Sequence, residues 1–291
     1  MEYLLCAPLY LVILIIGCEG DPFSSDKSFT LPHGHNVEWM KSISNEILLS
    51  AVTIPGTYES MKRHFHDQHQ AWELKDQFNA GVRFFDISLA GSVVKDVFLT
   101  KKQKFADVMN EMTNHLTMHS QEVIIIRVTP TNDKAKKEIS RFLKDNRNVW
   151  KDAKVPKMKD VRGKIVFVQN PSKLNKGLTV RIHVGGERLK SEDESMKKIT
   201  KHLKEAENAV DYLVVTETNY GKSSAAEKNA KKINQRIKQE SQRPKCLGVI
   251  VMDFGFELIQ KIIDFNPKAG DSPEFVEEEA EIPPEGDEEG K

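Results

Sequence analysis

The chain is expected to fold as an α/β protein, a single distorted βα barrel of the TIM type. Three observations predict it. Short apolar runs alternate with amphipathic helical stretches about eight times, the pattern of parallel strands joined by helices. The 291 residues are 39% hydrophobic and 30% charged, which allows one large core under a charged surface. Polar side chains gather just after the apolar runs, where a βα barrel exposes the C-terminal ends of its strands.

Residues 1–20 read as a secretory signal peptide. Leu9–Ile16 is an apolar run of the length such signals use and too short to span a bilayer, and Gly17, Cys18 and Gly20 offer small residues for cleavage. A lipoprotein box at Cys18 is a second reading, opposed by the uncharged start of the chain. The expected location is therefore extracellular, with peripheral membrane contact at most. Residues 21–36 form an extended leader in which His33 and His35 are expected in solvent. The barrel is expected over 37–266. Residues 267–291 form an acidic tail that buries too little apolar surface to fold.

Within the barrel, apolar runs predict strands at 48–54, 82–87, 93–99, 123–128, 165–169, 178–184, 212–216 and 247–252. Helical spacing predicts helices at 71–80, 105–116 and 135–143. Ser191 with Glu194, and Ser224 with Glu227, mark two further helix starts. Phe256–Ile263 gives the last helix. Cys246, the one cysteine left after signal cleavage, opens the final strand and is expected as a buried thiol. His115 and His119, four apart near a helix end, are expected to suit the helix dipole.

The net charge of zero hides an asymmetry. Residues 271–291 hold ten acidic residues and one Lys, and 1–20 hold two Glu, leaving 42 basic against 31 acidic residues over 21–270. A body at +11 suits phosphate, an anionic membrane surface or the chain's own tail. No nucleic-acid motif or aromatic-interleaved basic stretch accompanies the charge, so nucleic acid is excluded as a partner.

The stretch Ile54-Pro55-Gly56-Thr57-Tyr58-Glu59-Ser60 combines a strand end, a turn and hydrogen-bonding side chains. Pro55 and Gly56 are expected to stop the strand. Trp39-Met40 precedes it, and Gly81-Val82-Arg83-Phe84-Phe85-Asp86-Ile87, Arg162-Gly163-Lys164-Ile165-Val166 and Val251-Met252-Asp253-Phe254 follow in that order. Together these motifs resemble the X domain of phosphatidylinositol-specific phospholipase C, in its bacterial-type, calcium-independent branch. The resemblance covers about 37–266. It implies a distorted βα barrel and a phosphoric diester hydrolase that uses two histidines as base and acid and an arginine on the phosphate. It implies no cofactor and no metal.

Several positions depart from that pattern. The first catalytic His is Tyr58 and its neighbouring Asp is Glu59. The Arg is Ser88. The second His falls at Thr100 or Lys101. Thr129 stands where bacterial members carry a Lys that touches the inositol. Asp86 and Asp253 are retained; with their histidines gone they are expected to bind backbone or Arg83. Tyrosine is a poor base at neutral pH, and losing one general acid or base costs ~10²–10⁴ in rate. His64, His66 and His69 are expected as solvated residues, with a displaced base or a zinc site as the alternative.

Three functions follow. The first is a secreted pseudoenzyme that binds an anionic phospholipid or inositol-phosphate-like ligand. The second is an active phosphodiesterase using His64 or His66 with Lys101. The third is a barrel scaffold for a protein partner.

Overall fold

The computed structural model describes residues 28–63, 68–95, 103–170, 173–183, 191–219, 226–239 and 246–267. The expected signal peptide and the acidic tail lie outside these residues, apart from Pro267, as do His64, His66, Thr100, Lys101 and Ser224.

Among the described residues nine strands form one sheet: β1 (Ile54–Thr57), β2 (Phe84–Ala90), β3 (Val93–Val94), β4 (Ile124–Pro130), β5 (Val149–Trp150), β6 (Ile165–Val168), β7 (Val180–His183), β8 (Leu213–Glu217) and β9 (Val249–Met252). Their order is β5-β6-β4-β2-β1-β9-β8-β7, and every pairing along it is parallel. β3 pairs antiparallel with β2. The helices are α1 (Leu74–Asn79), α2 (Phe105–Met118), α3 (Asp133–Asp145), α4 (Met158–Val161), α5 (Glu192–Ala206), α6 (Ala226–Gln239) and α7 (Phe256–Asp264). The sheet curls until Leu178, just ahead of β7, forms one parallel bridge with Val168 of β6. Leu178 N–H donates to Phe167 O at 2.8 Å and Gln169 N–H to Leu178 O at 3.0 Å. This is a distorted βα barrel, as expected.

Strand alternation separates two cores. Ile54, Phe84, Ile125, Val166, Val215 and Val251 fill the barrel. Phe85, Ile87, Ile126, Phe167 and Ile250 point the other way and pack under the helices with Phe105, Met109 and Ile139.

The first strand differs from expectation. Leu49–Ala51 is a turn of 3₁₀ helix, and the strand runs through Pro55 and Gly56 instead of stopping at them. Ile54 N–H donates to Gly248 O, just before β9, and Tyr58 N–H to Met252 O, while Pro55 O accepts from Arg83 N–H on the other side. In that parallel register the N–H missing from Pro55 would have met Gly81 O. The Trp39 indole N–H donates to Gly81 O instead, at 2.9 Å. Proline therefore leaves no carbonyl unsatisfied, which is the structural use of the Trp-Met motif. Gly56 packs closely, since a Cβ there would meet Phe84 Cβ at 3.0 Å and the ring would have to shift.

The stretch 93–99 was expected as the third barrel strand. Its described part is β3, a short hairpin partner of β2, and β4 takes the barrel position. β5 and α4 carry too few residues to show periodicity. Arg162 of the Arg-Gly-Lys motif closes the barrel floor, donating to the carbonyls of Met40, Ile43 and Gln121. Cys246 is buried, as expected, with Sγ against Ser50 O. His35 is not simply solvated: its ring lies 3.1 Å from both Gln260 Oε1 and Asn79 O. His115 is buried, and burial with nearby Arg83 pushes its pKa down to about 3. It is neutral at pH 7 and does not serve the helix dipole.

Candidate functional site

β1 and β9 are paired neighbours, and each ends in an unusual elbow. Glu59 and Phe254 have φ of 41° and 44°, the only non-glycine residues with positive φ among those described. Such backbone costs on the order of 1–3 kcal/mol and persists where surrounding contacts hold it. Several contacts do. Tyr58 N–H donates to Met252 O. Gln70 Nε2 bridges Tyr58 O and Met252 O, at 2.9 and 2.8 Å. From α6, Asn234 Nδ2 donates to the carbonyls of Asp253 and Phe254. The two elbows bring Tyr58, Glu59 and Asp253 together at the C-terminal end of the barrel.

Asp86 and Ser88 reach the same end from β2. Ser60 ties the first loop to that strand: its N–H donates to Asp86 O, and Asp86 N–H donates to Ser60 Oγ. Glu59 N–H points at Asp86 Oδ2 (3.3 Å), and Ser88 Oγ donates to Glu59 Oε1 (3.0 Å). Thr129 also lies here and accepts from Asn170 Nδ2.

Two residues complete the site in ways the motifs did not indicate. Arg127, in the middle of β4, points inward. Its Nε donates to Asp86 Oδ1 at 2.8 Å and its Nη1 lies 2.7 Å from Glu217 Oε1, with all three side chains nearly inaccessible. Burial alone would lower the Arg127 pKa, but Asp86 and Glu217 outweigh it and hold the guanidinium above its usual value. Asp86 thus pairs with Arg127, not with Arg83, which is buried against Glu122. His69 is the second. Expected in solvent, it is 3% exposed, and its Nδ1 lies 3.0 Å from Asp253 Oδ1. Its ring meets Tyr58 edge-on at 5.0 Å.

The electrostatics are dominated by carboxylates. Burial raises the Tyr58 pKa, and Glu217, Glu59, Asp86 and Asp253 raise it further, so the phenol keeps its proton. Burial followed by Asp86 raises Glu59 as well. Lys62 lies 3.7 Å from Glu59, and Arg127 is held by its two carboxylates. The site offers many acceptors for hydroxyl groups and little uncompensated positive charge for a phosphate. Among the described residues no group of three or more His, Cys, Asp or Glu could hold a metal ion.

The expected site residues therefore divide. Tyr58, Glu59, Asp86, Ser88, Thr129 and Asp253 meet at one end of the barrel, while Thr100 and Lys101 lie outside the described residues. The signal for Arg127 was present in parity: Ile125, Arg127 and Thr129 share the inward face of β4.

No family model matches the chain. It is 23% identical over 300 residues to 1-phosphatidylinositol phosphodiesterase of Listeria monocytogenes, spanning 86% of this chain and 91% of that protein. In shape it is similar to the phosphatidylinositol-specific phospholipase C from Listeria monocytogenes, with a TM-score of 0.63 at 22% identity, covering 80% of this chain and 100% of that one. It is also similar to a pentafluoro-Phe variant of the Staphylococcus aureus phosphatidylinositol-specific phospholipase C, with a TM-score of 0.62 at 16% identity, covering 79% and 98%. These likenesses show a shared fold.

Proposed function

We propose that this chain is a phosphatidylinositol-specific phospholipase C-like protein that has kept the barrel and lost the reaction: a pseudoenzyme, secreted, that binds a phospholipid or inositol-type headgroup at its mouth. The observation that carries this reading is the makeup of the mouth. Tyr58 and Ser88 stand where the resemblance calls for a histidine and an arginine, and the buried cation present, Arg127, is clamped by Asp86 and Glu217. Internal phosphoryl transfer needs a base near neutral pKa and a cation on the phosphoryl oxygens. A protonated phenol among four carboxylates supplies neither. Those carboxylates suit the hydroxyls of a polyol ring, so the headgroup is held through its hydroxyls.

The test is release of inositol phosphate from phosphatidylinositol vesicles. Wild type is expected to be silent, and Tyr58→His alone to change little, because groups that act as a unit are non-additive. The combined variant Tyr58→His, Glu59→Asp, Ser88→Arg with Thr100→His or Lys101→His is the informative one. Turnover gained there would show an intact pocket that lacks only its catalytic groups.

One observation favours a second reading. The His69–Asp253 pair places an oriented imidazole at the mouth, so a working phosphodiesterase would draw its base from His69. Robust wild-type turnover that disappears in His69→Ala would overturn the pseudoenzyme reading and establish this one.

A further inference from the structure

The seam where the sheet closes outlines a second concavity, of about 420 Å³. Its wall includes Lys144 from α3, Lys151 from the segment after β5, and Lys176 from the β6–β7 connection, together with Ser140, Gln169 and Asn175. Among the described residues no Asp or Glu lines it. Lys176 Nζ donates to Ser140 Oγ at 3.3 Å and Lys151 Nζ to Leu143 O. Both partners are neutral, so these contacts orient the ammonium groups without cancelling their charge. Among the described residues none of the three lysines has a carboxylate within ion-pair distance.

The pocket's shape depends on one residue. Gly177 has φ of 102°, and a Cβ there would meet Phe167 O at 2.2 Å. Only glycine lets the connection fold back at this point, which sets Asn175 and Lys176 opposite α3.

We propose that the seam pocket binds a phosphate monoester, at a site separate from the mouth. A phosphomonoester is close to dianionic at neutral pH and presents three strong acceptor oxygens. Three lysines, a serine, a glutamine and an asparagine line a space large enough for such a group on a small polyol. A phosphodiester has one charge and fewer free oxygens and satisfies this donor set less well. The same chemistry could come from a soluble phosphorylated metabolite or from a lipid headgroup.

The test uses the full chain and two probes that share a headgroup. Glycerol 3-phosphate is titrated by calorimetry. Phosphatidylcholine vesicles containing phosphatidic acid are compared in sedimentation with vesicles carrying phosphatidylglycerol at equal surface charge. Lys144→Gln with Lys176→Gln should weaken glycerol 3-phosphate binding about tenfold or more, as expected for losing charge-assisted hydrogen bonds. The pair Lys197→Gln with Lys228→Gln, exposed on α5 and α6, removes the same charge elsewhere and should leave binding unchanged. Preference for phosphatidic acid, lost in the seam pair, assigns the lipid source; binding of the soluble probe without it assigns the soluble one. No binding of glycerol 3-phosphate by wild type, or equal weakening by both lysine pairs, overturns the proposal. Neither seam lysine touches the mouth, so this result is independent of the phosphatidylinositol turnover assay.

Discussion

The mouth and the seam pocket treat charge in opposite ways within one sheet. Around β1, from β4 across to β8 in the strand order, Arg127, Asp86, Glu217, His69 and Asp253 are buried and matched one against another. At the meeting of β6 and β7, three lysines are exposed, and two of them, Lys151 and Lys176, donate to neutral partners. The mouth is built from continuous ladders, so its side chains are locked in a closed network. The seam is joined by one bridge at Val168 and Leu178, and the incomplete ladder leaves an open concavity. A barrel similar in fold to phosphatidylinositol-specific phospholipases C thus gathers carboxylates at the C-terminal ends of its strands and sets lysines beside neutral groups at the seam of the sheet. Similarity of fold does not carry similarity of site.

The strongest way to break this contrast is to remove the mouth's guanidinium. Arg127→Met leaves Asp86 and Glu217 buried without their cation, and losing one partner of such a pair costs about 3–5 kcal/mol. Urea denaturation should show a lower midpoint, and adding Asp86→Asn and Glu217→Gln should recover part of the loss. A midpoint shift below about 1 kcal/mol for Arg127→Met would mean that solvent reaches the network.

A smaller and more local effect is expected at the seam. Gly177→Ala forces a side chain into left-handed backbone and against Phe167 O, at a cost of about 2 kcal/mol. Hydrogen exchange should speed up at Leu178 and Gln169, whose amides make the bridge, while Tyr58 N–H stays protected. Equal loss of protection at both places would show that seam and mouth open as one unit.

The smallest effect sharpens the electrostatic side. The Glu59 pKa is raised in the folded state, by burial and then by Asp86. A carboxyl raised above its unfolded value of about 4.3 favours folding when protonated and loses that advantage as pH rises through the folded pKa. Glu59→Gln should therefore be more stable than wild type at pH 7, by under about 1 kcal/mol because Ser88 and Lys62 partly compensate the charge. The difference should vanish below pH 4. A variant less stable than wild type at pH 7 would show that the hydrogen bond from Ser88 outweighs the repulsion.

Much of the architecture was legible in the chain because strand and helix periodicities are local. The apolar runs at β4, β6, β8 and β9 and the helical stripes of α2, α3 and α5 follow from spacing alone, and strand ends pointed to Tyr58, Asp86, Ser88 and Asp253. What neighbouring residues supply across space was not legible. Pro55 reads as a strand stop, yet the strand continues because Trp39, sixteen residues earlier, satisfies the carbonyl that proline cannot. His69 reads as one of three solvated histidines, yet Asp253, from the far end of the chain, holds it in the mouth. Arg127 lies inside the strand expected at 123–128 without any motif to mark it, and its two carboxylates come from β2 and β8. Periodicity determines which face a residue occupies, since that depends only on its own backbone. Whether a buried charge or a missing donor is tolerated depends on the group opposite, and only the closed barrel decides which group that is.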